Sequence, residues 1–296
     1  MKLALGTAQF GMNYGIYNQS GRTSLREINY ILQYAGDNGI ETLDTASLYG
    51  DSESVLGKAL PKTHNFRIIT KTPVFKKKKI SLNDAEELKR SLINSLERLG
   101  QNKVAGLLVH YADDLLVDGG ELLFQAMQQL RTEGLVGKIG VSVYTGQQIE
   151  CLIEKYEFEF FQVPMSVLDQ RLIEGGQLTK LKEKGLEVHV RSVFLKGLLL
   201  MDPSLIHSFF DPIKPLLYRY RKLLDSMELN PVDGALGFVK SIPGIDYVVI
   251  GVNNLKQLKD NIDSVNKTYK VSLCNGFKEF SMQNDKYLNP ALWQLN

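Results

Sequence analysis

Cysteine is scarce in this sequence, and long apolar runs are missing from it. The 296 residues include two cysteines, Cys151 and Cys274, without the paired spacing of a zinc or redox motif. We therefore expect a reducing compartment, no metal site and a core that needs no disulfides. No run approaches the ~18 apolar residues of a membrane helix, and the first residues lack the apolar stretch of a signal peptide. These absences predict a cytoplasmic protein that does not enter a membrane.

An excess of charge of one sign is also missing. The chain carries 35 basic and 33 acidic side chains, for a net charge of +2. This balance argues against nucleic acid as the main partner, and nothing in it favours one oligomeric state. The hydrophobic fraction of 44% is ordinary for a globular protein. Barrels of alternating strands and helices run to roughly 250 residues as one domain, so one domain over residues 1–296 is expected.

Eight short apolar runs recur along the chain. Several are nearly continuous, such as Leu107-Leu108-Val109, and this suits parallel strands that are covered on both faces. The predicted strands are Leu3–Leu5, Glu41–Thr45, Arg67–Lys71, Ala105–His110, Lys138–Val143, Phe158–Val163, Glu187–Val193 and Tyr247–Val252.

Amphipathic helices are predicted between these strands. The first begins with Ser24-Leu25-Arg26-Glu27, a capping-box pattern in which Ser24 and Glu27 satisfy each other's backbone donors. The helices with the clearest spacing are Ser24–Asn38, Asp84–Leu99, Gly119–Glu133 and Asn254–Val265.

Alternation of strands and helices predicts a single-domain α/β protein with a (β/α)₈ TIM-barrel fold. The competing fold is an open doubly wound sheet, which carries Gly-x-Gly-x-x-Gly after its first strand. The nearest stretch here, Gly6–Gly11, has the wrong spacing. The irregular stretch from Met201 to Pro231 is predicted to be an extended loop with an additional helix, and it is a candidate lid.

Four titratable side chains lie at or just beyond the ends of three neighbouring strands. Asp44 and Tyr49 follow the second strand, Lys71 ends the third and His110 ends the fourth. Each has an ordinary structural interpretation alone: a strand-end His or a loop Tyr is usually packing, a strand-end Lys is usually solvated, and Asp44 before Thr-Ala could cap the next turn. Because catalytic groups of a barrel lie at the C-terminal strand ends, the four together predict one site.

The set makes chemical sense for carbonyl reduction, which needs a proton for the oxygen while hydride reaches the carbon. Tyr49 can supply that proton, and a neighbouring ammonium from Lys71 would lower its pKa from about 10. A buried Lys71 would need a carboxylate, which Asp44 provides. His110 would bind the carbonyl oxygen or relay the proton.

These residues and their surroundings resemble the aldo-keto reductase family. The resemblance rests on Gly6-Thr7-Ala8 with Phe10-Gly11, on Asp44-Thr45-Ala46-Ser47-Leu48-Tyr49-Gly50, and on Lys71 and His110 in order. It implies a (β/α)₈ barrel that reduces a small carbonyl compound with NADPH, less often NADH. It also implies a catalytic tetrad of Asp44, Tyr49, Lys71 and His110, with Tyr49 as the proton donor.

The same resemblance assigns a set of cofactor-binding residues. Ser142 and Gln162 match residues that bind the nicotinamide carboxamide, and Arg191 lies where many members stack an aromatic ring on the nicotinamide. The full set is Gly6, Thr7, Ser142, Gln162, Arg191, Ser192, Gly251, Asn253, Gln257 and Asn261.

Three positions depart from the family pattern. Val143 replaces an Asn of the carboxamide site, and Arg191 replaces the stacking aromatic ring. Asn253 stands where some members have an Arg that binds the 2′-phosphate. The last departure leaves NADPH only modestly favoured over NADH.

Two further hypotheses compete with a carbonyl reductase. In a barrel lyase, Lys71 would form a Schiff base with the substrate. In a non-catalytic NADPH-binding subunit or sensor, the cofactor would bind without turnover. For the reductase, the basic run Lys76–Lys79 is either a solvated loop or a rim that attracts a sugar phosphate or nucleotide sugar.

Overall fold

The computed structural model describes residues 1–18, 20–269 and 276–295. Within these ranges eight parallel strands form a closed barrel in sequence order, and β8 pairs with β1. The predicted (β/α)₈ barrel is confirmed. The strands are β1 (Lys2–Gly6), β2 (Thr42–Asp44), β3 (Arg67–Lys71), β4 (Val104–Val109), β5 (Val136–Ser142), β6 (Phe160–Pro164), β7 (Glu187–Arg191) and β8 (Tyr247–Gly251).

Helices connect the strands and cover the outside of the barrel. Across the described ranges, no helix combines the length and hydropathy that crossing a membrane requires. The helices are α1 (Ala8–Gly11), α2 (Leu25–Asp37), α3 (Ser52–Ala59), α4 (Leu82–Leu99), α5 (Glu121–Thr132), α6 (Gly146–Lys155), α7 (Arg171–Glu174), α8 (Gln177–Glu183), α9 (Lys214–Ser226), α10 (Pro231–Lys240), α11 (Leu255–Asn266) and α12 (Asp285–Leu288).

The predicted elements agree with the structure to within two residues at each end. Helix α4 ends at Gly100. The φ of this residue is 63°, a left-handed conformation that a residue without a Cβ adopts with little strain. The capping box of α2 forms only in part. Ser24 accepts a hydrogen bond from the Glu27 backbone N–H at 3.3 Å, but the Glu27 carboxylate accepts from the Leu255 N–H of α11 instead.

Side chains alternate between two environments along each strand, as the pleat requires. One set, which includes Leu5 and Leu43, belongs to the large core beneath the helices. The other set faces the barrel interior, where Ile69, Leu108 and Phe160 form a separate apolar cluster. This cluster fills the barrel below the strand ends and leaves the space above it for polar groups.

Close packing around Phe160 explains one glycine of the interior. A Cβ on Gly106 would lie 3.0 Å from Phe160 Cζ, closer than real Cβ contacts normally are. The smaller residue therefore makes room for the ring that closes the barrel floor.

The Met201–Leu229 segment belongs to the wall of the molecule. It contains helix α9 and two short 3₁₀ segments, Pro203–Leu205 and Ser208–Ile213. Side chains such as Phe210 and Leu224 are fully buried in the main core. No residue of this segment lines the cleft at the strand ends, but Asn230 and Pro231, which complete the predicted stretch, do. The structure therefore gives the predicted additional helix a packing role, and the lid stays a prediction.

Candidate active site

A cleft of about 930 Å³ opens at the C-terminal ends of the strands. Its volume is at the upper end of the range for ligand pockets. The structure brings all the site residues predicted from the sequence to the lining of this cleft: Gly6, Thr7, Asp44, Tyr49, Lys71, His110, Ser142, Gln162, Arg191, Ser192, Gly251, Asn253, Gln257 and Asn261.

The strand period of two explains why so many of them converge. Lys71 lies two residues beyond Ile69 on β3, and Gln162 lies two residues beyond Phe160 on β6. Each therefore shares the inward face of its strand with the apolar floor of the barrel. Lys71 and Gln162 therefore lie in the next layer above that floor, where both bind the Asp44 carboxylate.

A buried ion pair lies at the base of the cleft. Lys71 Nζ donates to Asp44 Oδ1 at 2.6 Å and to the Thr45 carbonyl at 2.9 Å. Gln162 Nε2 donates to the other carboxylate oxygen, Asp44 Oδ2, at 2.7 Å. The Lys71 and Asp44 side chains are only 1% and 5% exposed. Burial lowers the pKa of Lys71, and Asp44 opposes this effect through its charge and hydrogen bond.

Tyr49 is held beside this pair by two loops that cross closely. Gly11 of the β1 loop lies against the Tyr49 backbone, so a Cβ on Gly11 would be 1.9 Å from the Tyr49 carbonyl oxygen. Gly50 has a φ of 55°, and a Cβ there would lie 2.5 Å from the Gly11 carbonyl oxygen. The crossing therefore needs both glycines. It places the Tyr49 ring with its centroid 4.8 Å from Lys71 Nζ.

The environment of Tyr49 raises its pKa above the usual range. Burial is the main cause and Asp44 adds to it, whereas the Arg191 cation opposes them. The sequence predicts a lowered pKa for Tyr49, and the net shift is upward instead, because burial and the Asp44 charge outweigh the Arg191 cation. The raised pKa of Tyr49 favours its protonated phenol, which is the form that can donate a proton.

His110 lies edge-on to Tyr49, with ring centroids 5.9 Å apart and planes at 87°. The pKa of His110 is lowered to about 3, mainly by burial and further by the charges of Lys71 and Arg191. Its buried Nδ1 has no hydrogen-bond partner among the described residues. His110 is thus a neutral imidazole with hydrogen-bonding capacity available in the cleft.

Two departures from the family pattern contact each other. Arg191 Nη2 donates to the Val143 carbonyl at 2.9 Å, and Nε lies 3.3 Å from Ser142 Oγ. The guanidinium also stacks 4.2 Å from the centroid of the Tyr144 ring and donates to Ser192 Oγ. The Arg191 side chain therefore reaches from the end of β7 to the residues at the end of β5, and it presents a cation to the cleft.

Sequence reasoning missed several residues that line the cleft, among them Gln9, Tyr14, Tyr144 and Lys196. Lys196 is within the quoted Arg191–Gly197 stretch, but its role was not visible without the fold. Its Nζ lies 5.3 Å from the centroid of the Tyr14 ring. Burial lowers the pKa of Lys196. This half-buried lysine adds a further cation to the cleft wall, in addition to Lys71 and Arg191.

The basic run does not form a free basic rim. Lys77 pairs with Asp84 at 2.5 Å and Lys79 pairs with Asp118 at 2.7 Å. The backbone N–H groups of Phe75 and Lys76 donate to Asp114. None of Lys76–Lys79 lines the cleft. The structure favours a solvated loop held by neighbouring carboxylates.

The far part of the cleft, here called the α11 end, is lined by polar residues after β8. Asn253 N donates to Gln257 Oε1 at 2.8 Å, and Gln257 N donates to Asn254 Oδ1 at 2.9 Å. The lining residues are Asn253, Asn254, Lys256, Gln257, Asp260, Asn261, Asp263 and Lys267. A single cleft therefore joins the tetrad to the N-terminus of a helix.

Comparisons with known proteins agree with this geometry. The family model described as "Aldo/keto reductase family" matches residues 2–279. YqkF of Bacillus subtilis (strain 168), an oxidoreductase described as uncharacterised, is 25% identical over 293 residues, covering 90% of this chain and 91% of its own. Aldo-keto reductase str7 of Strobilurus tenacellus is 24% identical over 257 residues, covering 78% of this chain and 74% of its own.

A solved structure shows the same fold. The holo form of the aldo-keto reductase AKR11C1 from Bacillus halodurans has a TM-score of 0.76 at 20% identity, over 95% of this chain and 92% of that one. This chain belongs to the aldo/keto reductase family. It is an NAD(P)H-dependent oxidoreductase, and the family acts on small-molecule carbonyl compounds.

Proposed function

We propose that this protein reduces an aldehyde or ketone to an alcohol, with Tyr49 as the proton donor. The observation that carries the proposal is the arrangement of Asp44, Tyr49, Lys71 and His110. The four side chains come from the ends of three adjacent strands and meet at one end of the cleft.

The cleft has features that fit a nicotinamide dinucleotide. Buried polar atoms usually have hydrogen-bond partners, yet Gln9 Oε1, Asn253 Oδ1 and His110 Nδ1 have none among the described residues. All three residues line the cleft. When bound, the nicotinamide supplies the hydride. Its carboxamide would be held by Ser142 and Gln162, whose Oε1 remains available while Nε2 binds Asp44.

The other predicted cofactor residues divide by position. Arg191 and Ser192 lie near the tetrad and would hold the nicotinamide face. The remainder lie along β1, β8 and α11 and would hold the phosphates and adenosine: Gly6, Thr7, Gly251, Asn253, Gln257 and Asn261. The choice between NADPH and NADH therefore depends on the α11 end.

Proton transfer in this proposal starts from the Tyr49 hydroxyl. Its raised pKa keeps the proton in place until a carbonyl oxygen becomes basic through hydride addition. Lys71 and Arg191 then stabilise the tyrosinate electrostatically. Asp44 keeps Lys71 oriented, since the ammonium is fixed by two acceptors. Preorganised charges of this kind are worth more in a site with little water.

His110 has a narrower part in the reaction. A neutral imidazole can donate one hydrogen bond to the substrate carbonyl, and the low pKa makes it a poor proton reservoir. Of the two roles expected from the sequence, hydrogen bonding to the carbonyl oxygen is the one we propose.

The substrate is proposed as a small aldehyde or ketone. Two aromatic side chains, Tyr14 and Tyr144, line the cleft with the tetrad. A sugar or nucleotide-sugar carbonyl was suggested by the basic run, and the cleft gives that substrate no support because those lysines lie outside it.

One observation favours a Schiff-base lyase as a second candidate, namely the lowered pKa of Lys71. Its Nζ, however, already donates to Asp44 and Thr45, and its side chain is 1% exposed. A nucleophilic amine needs a free lone pair directed at the substrate, which this arrangement does not offer.

A deuterium transfer experiment distinguishes these functions. Purified protein is incubated with reduced cofactor deuterated at the transferring position and a panel of aldehydes and ketones. The reductase predicts an alcohol product heavier by one mass unit and matched oxidation of the cofactor. Borohydride trapping with the same panel is the control. A stable adduct on Lys71 without deuterium transfer would replace the reductase with the lyase, and cofactor binding without turnover would favour the non-catalytic subunit.

A further inference from the structure

Lys196 is a half-buried cation of the cleft that no carboxylate of the described residues balances. Its Nζ lies 5.3 Å from the centroid of the Tyr14 ring and 5.8 Å from that of the Trp293 ring. It donates a long hydrogen bond of 3.3 Å to the Pro290 carbonyl. Burial lowers the pKa of Lys196, and no charge of the described residues opposes this effect. Because a buried charge without a partner is costly, the ammonium is available to an anion.

The lining of the cleft has an excess of positive charge at its tetrad end. At the α11 end the lining charges balance, since two lysines and two aspartates lie there: Lys256, Lys267, Asp260 and Asp263. At the tetrad end, Asp44 is the single carboxylate of the described lining, and it pairs with Lys71. Arg191 and Lys196 are left without a carboxylate in that lining. This end of the cleft therefore attracts an anion.

The loop after β7 holds Lys196 in an unusual backbone conformation. Ser192, Leu195 and Lys196 have φ angles of 64°, 45° and 51°, in the left-handed region that favours glycine. The Ile16 N–H donates to the Lys196 carbonyl at 2.9 Å and fixes this loop against the loop after β1. Backbone strain of this kind persists only where the surrounding fold supports it, and it is concentrated at functional sites. The strained loop is therefore a second indication that Lys196 has a function in the cleft.

The Tyr14 ring links Lys196 to the tetrad. Burial raises the pKa of Tyr14 and the charge of the Tyr49 phenolate raises it further, so the two phenols lie close to each other. The groups around the ammonium, namely Tyr14, Pro290 and Trp293, are not among the proposed cofactor contacts. A substrate bound with its carbonyl at Tyr49 would therefore extend along the Tyr14 ring to reach Lys196.

We infer that Lys196 binds a carboxylate of the substrate, so that this protein prefers aldehydes that carry a carboxylate at the other end of a short chain. The inference rests on the proposed function and deepens it by naming the substrate class. The ammonium donates a charge-assisted hydrogen bond to the carboxylate, and the anion removes the cost of an unpaired buried cation. An acid with its carboxylate next to the carbonyl fits less well, because it is too short to pass the Tyr14 ring.

Matched substrates test the inference. Initial rates are measured with succinic semialdehyde and with its uncharged methyl ester. The native protein is expected to show a kcat/KM about tenfold or more higher for the acid than for the ester, mainly through KM. Added salt should narrow this difference, because it screens the ionic contact. Glyoxylate, whose carboxylate adjoins the aldehyde, should have no such advantage over its own ester.

Three variants sharpen the test. Lys196→Met keeps the length of the side chain and removes its charge, so kcat/KM for succinic semialdehyde should fall about tenfold or more through KM. Lys196→Arg keeps a cation and should retain most of the preference for the acid. Lys78→Met is the matched control, because it removes an exposed lysine of the basic run outside the cleft and should leave the preference as it is.

Binding without turnover gives an independent readout. Trp293 is the one tryptophan of the sequence, and its ring lies 5.8 Å from the Lys196 ammonium. Glutarate, a dicarboxylate without an aldehyde, is titrated while the tryptophan fluorescence is followed. A saturable change is expected in the native protein and in Lys78→Met. The dissociation constant should rise about tenfold or more in Lys196→Met.

The outcomes separate this inference from the proposed function. Equal kcat/KM for acid and ester in the native protein, or a preference that persists in Lys196→Met, would overturn the inference and leave the reductase intact. A Lys196→Met variant whose main defect is weaker binding of NADPH or NADH would also overturn it, since Lys196 would then hold the cofactor. Absence of turnover with every carbonyl compound would refute the proposed function, and the glutarate titration would still decide whether Lys196 binds a carboxylate.

Discussion

The first four strands and the last four carry different parts of the cleft. Strands β2 to β4 and the loops after them contribute Asp44, Tyr49, Lys71 and His110, and all four match the family pattern. Strands β5 to β8 and the segments after them carry all the proposed cofactor contacts except Gly6 and Thr7 of the first strand and its loop, and the departures at Val143, Arg191 and Asn253 fall there. Proton transfer requires particular groups at fixed positions. A large ligand can be held by alternative contacts, so the second half of the barrel has more freedom.

Removing the Tyr49 hydroxyl, a group of the first half of the barrel, is expected to have the largest effect on catalysis. Tyr49→Phe should lower kcat for carbonyl reduction about 10³-fold, since the proton donor acts in the transition state. Cofactor affinity should change little. Tyr14→Phe is the matched control, because it removes another phenol of the same cleft and should lower kcat far less. Steady-state kinetics and cofactor titration of both variants provide the comparison. Wild-type kcat in Tyr49→Phe would exclude this residue as the acid.

Breaking the buried ion pair between Lys71 and Asp44 is expected to have the next largest effect, on the stability of the protein. Lys71→Met leaves Asp44 buried without its cation, so the free energy of unfolding should fall by about 3 kcal/mol. Chemical denaturation measures this change. The double variant Lys71→Met/Asp44→Asn should recover part of the loss, since it buries no charge. Asp44→Asn alone completes the comparison. If the double variant were less stable than Lys71→Met by as much as Asp44→Asn destabilises the native protein, the two groups would not be coupled.

The pH dependence of stability reports on His110. Its folded pKa of about 3 is below the unfolded value near 6.5, so the unfolded chain binds the additional proton first. Stability from this group is present above pH 6.5 and is lost as pH falls towards 3. Between pH 7 and pH 5 we expect a loss of about 1–2 kcal/mol. His110→Gln should flatten that part of the profile, and an unchanged slope would contradict the assignment.

The smallest expected effect concerns Arg191 in the second half of the barrel. A fixed cation near the nicotinamide disfavours the positively charged oxidised ring. Arg191→Met should therefore reduce the preference for reduced over oxidised cofactor about fivefold. Titration of both cofactor forms measures the ratio. Ser192→Ala, which removes a hydrogen-bond partner of Arg191 and no charge, is the control. An equal ratio in the native protein and Arg191→Met would place Arg191 away from the ring.

Much of the fold was readable from the sequence because the signals are local. Strand runs such as Val104–Val109 are apolar and short, and helix α4 ends at a glycine whose left-handed φ favours a residue without a Cβ. Gly11 and Gly50 were visible in the sequence as parts of motifs, but the structural requirement for glycine at these two positions was not. They allow two loops distant in sequence to cross behind Tyr49. No pattern within one segment reports such a crossing.

The residues missed from the sequence share one cause. Lys196 and Tyr14 are ordinary loop residues until the loops after β7 and β1 meet, where the Ile16 N–H donates to the Lys196 carbonyl at 2.9 Å. Glu27 was interpreted as half of a capping box, because its own helix offered a plausible local partner. In the folded protein the N-terminus of α11 offers a competing donor, and only the adjacency of α2 and α11 reveals it.

The sequence by itself determined the alternation of strands and helices, and thus the barrel, together with the four groups at the ends of its strands. Periodicity and residue type are properties of the amino-acid chain, so they can be read from the sequence alone. Only the tertiary structure decided the charge states and partners of those groups. Burial raised the pKa of Tyr49 and lowered that of His110, and the fold brought Gln162 to Asp44 as a second partner beside Lys71. Desolvation and long-range pairing depend on which distant segments enclose a side chain, and closure of the barrel alone determines that.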